Sequence, residues 1–141
     1  MIFCTAINCM DGRVQAPVNA YLRTRFNADY VDAVTEPGPA LVLAMHDDPG
    51  AVQHILRKVN ISVDRHASIA LAVAGHHDCA GNPAPKEEKI LHLLAAVRFL
   101  REKYPALPAI ALWVDEKLEV HEISDADRGM PFDPSAFSTK R

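Results

Sequence analysis

Four short apolar runs divide the chain: IFCTAIN (2–8), DYVDAV (29–34), SIALAVA (68–74) and AIALWV (109–114). Their apolar positions run on instead of alternating with polar ones, the pattern of strands buried on both faces of a parallel sheet. Between the runs the period becomes helical. Val18, Tyr21, Leu22 and Phe26 form one apolar stripe, and Val52, Ile55, Leu56, Val59 and Val63 form a second. A third helix, predicted over 85–103, places Leu93, Val97, Leu100 and Tyr104 on one side. Its first turn holds Glu87 and Glu88 and its last Arg101 and Lys103, charges that suit the helix dipole. Pro17 and Pro85 sit near helix starts, and Asp48 before Pro49 reads as a cap followed by a first helical residue. GPALVLAM (38–45) fits a strand or a helix. After the fourth run, DEK is a tight turn into LEVHEI (118–123), whose alternation closes the sheet with a hairpin.

Strands alternating with helices predict an α/β fold. Its mainly parallel central sheet has about four strands plus a C-terminal antiparallel strand, with helices on both faces and right-handed crossovers. The 141 residues, 49% of them hydrophobic, suffice for one core. A single domain is therefore expected over 1–123. The remaining 124–141 has no period and forms a tail, mobile or laid on a partner subunit by Met130, Phe132 and Phe137.

Charge narrows the partners. Fifteen Lys and Arg against eighteen Asp and Glu give a net charge of -3, which offers no basic surface to nucleic acid or an anionic membrane. The N-terminus enters a strand without a leader, and no apolar stretch reaches membrane-spanning length, so a cytoplasmic protein is expected. Three cysteines, at 4, 9 and 79, favour free thiols or metal ligands over a disulfide framework.

The chemistry gathers after the first and third runs, the natural central neighbours of such a sheet. Ligand sites form at carboxyl ends of strands, where strand order reverses. CMDGR after the first run carries Cys9, Asp11 and Arg13; if the chain leaves its strand extended, all three point to one side. GHHDCAGNP (75–83) after the third supplies His76 and Cys79 at a spacing that can serve one metal ion. Two thiolates and an imidazole form a set zinc prefers, and three protein ligands leave a fourth position for water, substrate or a displaceable carboxylate. Cys4 lies inside a strand and reads as a small buried apolar residue. His77 should point away from the metal, Asp78 is a loop cap or a second acceptor, and His46, His54, His66, His92 and His121 receive no role. His92 is expected on the surface of its helix or against a neighbour.

Together, CMDGR and GHHDC resemble the paired Cys-x-Asp-x-Arg and Gly-His-x-x-Cys motifs of the β-class carbonic anhydrases. The resemblance implies zinc held by Cys9, His76 and Cys79, with Asp11 and Arg13 paired beside it and Asp11 able to become the fourth ligand in a closed state. It implies reversible hydration of carbon dioxide to bicarbonate by zinc-bound hydroxide, Asp11 orienting the nucleophile and Arg13 positioning Asp11. A homodimer or higher homo-oligomer is expected. Two departures stand out: the chain begins at the first core strand, where the family has N-terminal helices, and Thr35-Glu36-Pro37-Gly38 replaces an Arg-Asn-Ala-Gly segment. They keep two alternatives open, a noncatalytic zinc sensor or assembly protein and a hydrolase of a sulfur analogue of carbon dioxide. A thiol phosphatase or redox protein is disfavoured, since neither Cys-x5-Arg nor Cys-x-x-Cys occurs.

Overall fold

In the computed structural model, which describes residues 1–124, nine elements alternate along the chain: β1 (Phe3–Asn8), α1 (Gly12–Arg25), β2 (Tyr30–Thr35), α2 (Pro39–Met45), α3 (Pro49–His66), β3 (Leu71–His76), α4 (Lys86–Lys103), β4 (Ala109–Val114) and β5 (Val120–Ile123). Apart from Ser124, the predicted tail lies outside the described residues. One five-stranded sheet in the order β2-β1-β3-β4-β5 organises the fold. Its first three pairings are parallel, and β5 returns antiparallel to β4. The chain runs from β1 outward to β2, then crosses back to β3 on the other side of β1. The order therefore reverses between β1 and β3, where an open α/β sheet leaves a crevice at its carboxyl edge.

Each face of the sheet has its own core. Ile7, Leu71, Val73, Ala111 and Trp113 meet α2, α3 and α4 through residues such as Leu43, Ile55, Val59, Leu93 and Leu100. The other face packs Val14, Val18 and Leu22 of α1 onto Ala6, Ala72, Ala74 and Leu112. Alternate residues of one strand thus enter opposite cores, which is why β1, β3 and β4 read as unbroken apolar runs. The edge strand β2 departs from that expectation: only Val34 is buried. With one neighbour, it keeps Asp32 at a partly open margin.

Helix starts follow local capping, with one correction. Asp48 accepts from Ala51 N at 3.1 Å ahead of Pro49, as its sequence suggests. Pro17, however, lies inside α1. The helix begins earlier, at Gly12, because the Asp11 carboxylate accepts from Arg13 N at 2.9 Å and satisfies a first-turn donor. The ambiguous segment 38–45 is helical: Gly38, in the left-handed region at φ 55°, turns the chain into Pro39. In the final hairpin, Asp115 Oδ1 accepts from Lys117 N and Glu119 N, both at 2.9 Å, and holds the turn that leads to β5.

Candidate metal centre

Cys9 follows β1 directly, and His76 is the last residue of β3. The predicted third strand, 68–74, is displaced: hydrogen bonding to β4 continues through the Gly75↔Trp113 and His76↔Val114 pairs, so His76 belongs to the strand and not to the loop after it. That placement lends His76 the rigidity of a central strand. Cys79 comes from the following turn, in which Asn82 N donates to Cys79 O at 3.2 Å.

The three side chains converge. Cys9, His76 and Cys79 are buried, and one ligand atom from each lies within 4.8 Å of the others. The two Sγ atoms are 3.9 Å apart. Two zinc–sulfur bonds of about 2.3 Å at a tetrahedral angle would set them about 3.8 Å apart. His76 Nδ1 lies 2.7 Å from His77 O, which defines this nitrogen as the protonated donor and leaves Nε2 as the acceptor. Nε2 is buried and has no hydrogen-bond partner among the described residues. A buried lone pair without a donor costs free energy, and it faces two thiols. The donor set thus fits a zinc ion.

Asp11 and Arg13 form the outer margin, by a route different from the extended one expected. The chain turns into α1 at once, and Arg13 folds back on its own cap. Its Nε donates to Asp11 Oδ1 at 3.0 Å and its Nη2 to Oδ2 at 2.7 Å. Arg13 also donates from Nη1 to Asp78 Oδ2 at 3.3 Å and from Nη2 to Asp78 O at 3.1 Å, tying the loop after β1 to the loop after β3. Hydrogen bonds from Arg13 hold the Asp11 carboxyl well below the usual carboxylate range and raise the Arg13 guanidinium above its own. Asp11 is not among the groups gathered within 4.8 Å. Asp78 takes the acceptor role, at a left-handed φ of 56°. His77 is exposed, as expected.

Several supports had no obvious mark in the sequence. Gln15 Nε2 donates to Cys9 O at 2.7 Å and to Asp11 O at 2.9 Å, and Asn8 Nδ2 donates to Gln15 Oε1 at 3.2 Å, so α1 braces the chain on both sides of Cys9. Asn82 Nδ2 pairs with the fully buried His92 Nδ1 at 3.0 Å, anchoring the Cys79 turn to α4. His92 therefore packs against a neighbouring element, the second of the two placements expected for it. Gly38 and Gly81 let two backbones touch, since a Cβ on Gly81 would lie 2.5 Å from Pro37 C. Lys89, only 7% exposed, donates from Nζ to His76 O at 3.2 Å. Burial lowers its ammonium pKa, against the opposing charges of Cys79 and Asp78. Its signal was legible: it lies four residues before Leu93, on the apolar stripe of α4.

A cleft of about 440 Å³ opens over Cys79, lined by Asp11, Arg13, Asp78 and Lys89. Two larger grooves, of about 620 and 630 Å³, run between α3 and α4 and along α4 and β5. Neither gathers a donor set like that beside Cys79. A second group of candidate ligands, Asp115, Glu119 and His121, is partly or fully exposed and belongs to the hairpin turn. No described helix is long and apolar enough to cross a membrane.

Among solved structures, one from a fungus shares this architecture and a second matches more weakly. A solved structure of tetrameric β-carbonic anhydrases from the filamentous ascomycete Sordaria macrospora superposes with a TM-score of 0.59 and 12% identity, covering 86% of this chain and 80% of the other. The β-carbonic anhydrase CafA of the fungal pathogen Aspergillus fumigatus matches at a TM-score of 0.46 and 14% identity, over 94% of this chain and 77% of its own. No curated protein matches by sequence. A family profile described as "Putative carbonic anhydrase" matches residues 1–124. With all the described residues matched, the chain belongs to that carbonic anhydrase family, and it shares its fold with the β-class structure from Sordaria macrospora.

Proposed function

We propose that this protein catalyses the reversible hydration of carbon dioxide to bicarbonate, with zinc held by Cys9, His76 and Cys79 and with Asp11 and Arg13 as the catalytic pair. The observation that carries the reading is the buried three-donor cluster, whose His76 Nε2 has no partner among the described residues, beside a carboxylate clamped by an arginine. Zinc bound there would supply Lewis acidity, lowering the pKa of a water in the position the three residues leave open. The chain's own groups do the rest. His77 O fixes the His76 tautomer. Arg13 keeps Asp11 ionised and holds both of its oxygens, so that the carboxylate can accept a hydrogen bond from the attacking water and aim its lone pair. Should Arg13 release it, Asp11 could reach the metal and close the site.

The test is stopped-flow measurement of carbon dioxide hydration between about pH 6.5 and 9.5 on zinc-loaded protein. A rate rising toward alkaline pH is expected, since two thiolates cancel the charge of the ion and leave its water less acidic than on three imidazoles. A zinc-replete protein with no rate above buffer would end the proposal. That outcome would favour a second reading, a noncatalytic zinc protein. Its motivation is Glu36, whose N–H donates to Asn8 O at 3.2 Å: the substituted Thr35–Glu36 segment borders the strand that delivers Cys9 and adds negative charge there.

The same reading includes a homo-oligomer. The Sordaria enzymes are tetrameric. Here Met10, next to Cys9, is 63% exposed and Leu118, beside the neighbouring pocket of Arg13 and His77, is 42% exposed. Apolar groups in those positions suit a covering subunit.

A further inference from the structure

Resting on that reading, we propose that Lys89 forms a subsite for a small oxyanion, bicarbonate in this reaction, in the cleft over Cys79. The cleft of about 440 Å³ is lined by Asp11, Arg13, Asp78, Cys79, Pro83 and Lys89. Charge decides what can enter. Arg13 is committed to both carboxylates, holding Asp11 through Nε and Nη2 and Asp78 through Nη1. Two carboxylates against one guanidinium leave an excess of one negative charge, which repels an anion. The Lys89 ammonium cancels that excess. It is 7% exposed, and its bond to His76 O at 3.2 Å uses one of three donors and is its sole hydrogen bond among the described residues. Lys89 and Cys79 line the same cleft, and two N–H groups of the ammonium are left for a charge-assisted bond to an oxyanion there. Carbon dioxide, being neutral, gains nothing comparable. The subsite thus recognises the charged partner of the reaction.

The structure contains a reporter. Trp113 is the chain's single tryptophan, and Lys89 Nζ lies 5.9 Å from its ring centroid. Bicarbonate is titrated at constant ionic strength into the zinc-loaded full-length protein, read by Trp113 emission and by the line width of 13C-labelled bicarbonate. Saturable binding is expected in the wild type. Lys89→Gln, which keeps a donor for His76 O but removes the charge, should weaken it by about tenfold or more with zinc content and far-UV circular dichroism unchanged. Lys89→Arg should retain most of the affinity, and Lys89→Met carries the test if the glutamine variant does not fold. Equal affinity in the wild type and the uncharged variants, or no saturable binding by either signal, would overturn the subsite. Binding is read without turnover, so the two readings separate. Lys89-dependent affinity in a protein that hydrates no carbon dioxide sinks the anhydrase reading alone, and turnover with Lys89-independent affinity sinks the subsite alone.

Discussion

Asp11 serves two ends at once, as the cap of α1 and as the carboxylate clamped by Arg13, and substitutions can separate them. Asparagine caps helices about as well as aspartate, so Asp11→Asn should leave the fold intact, with a stability change within about 1 kcal/mol. It cannot remain an anion. Zinc content should persist while the carbon dioxide hydration rate falls at least about tenfold. His76→Ala should act differently, since it removes a ligand: elemental analysis is expected to find most zinc lost, where the parent holds about one ion per chain. Full zinc retention by His76→Ala would refute the proposed ligand set, and an unchanged rate in Asp11→Asn would refute the proposed role of that carboxylate.

Between elements, the hairpin strand β5 is tied to α1 by side chains. Glu122 accepts from Arg25 Nε at 3.1 Å and from Tyr21 Oη at 2.9 Å. The Arg25 bond, supported by Tyr21 and opposed by partial burial, lowers the Glu122 pKa from the ordinary 4.5. A carboxyl whose pKa is lower when folded contributes stability that is present above its unfolded value and lost as pH falls through the folded one. Glu122→Gln should therefore lower the urea midpoint at pH 7, by roughly a few tenths molar for so exposed a pair. As pH falls below the ordinary 4.5 and through the lowered folded value, the gap between variant and parent should close. A gap that widens on acidification would contradict the assignment.

For the molecule as a whole, the site at the carboxyl ends of β1 and β3 is walled on the inside by two cores but fringed by exposed Met10 and Leu118. A symmetric partner would cover that fringe. Sedimentation of the full chain at micromolar concentration should find a dimer or larger species. Introducing charge by Met10→Glu should weaken the assembly while leaving the buried cores untouched. A monomeric wild type would count against the oligomer and leave the cleft open to water on one side.

Much of this could be read from the chain before any tertiary contact was known. Unbroken apolar runs marked β1, β3 and β4 because a central strand enters two cores. Val52, Ile55, Leu56 and Val59 marked α3 because its stripe is long, and CMDGR with GHHDC marked Cys9, His76 and Cys79, which the fold brings together, because few structural needs place those groups together. The adjacency of β1 and β3 followed from general α/β topology. Other features depended on partners distant in sequence. The strand run of His76 is set by pairing with Val114, and the exposure of β2 by its place at the sheet edge. Arg13 reaches Asp78 because Asp11 turns the chain into a helix instead of letting it run straight. Lys89 gains its significance from burial under His76 O, a contact across thirteen residues that its own helix does not specify. Local patterns encode which residues prefer a strand, a cap or a metal; the net charge of a cleft depends on which side chains the fold brings to it, and only the packed tertiary structure decides that.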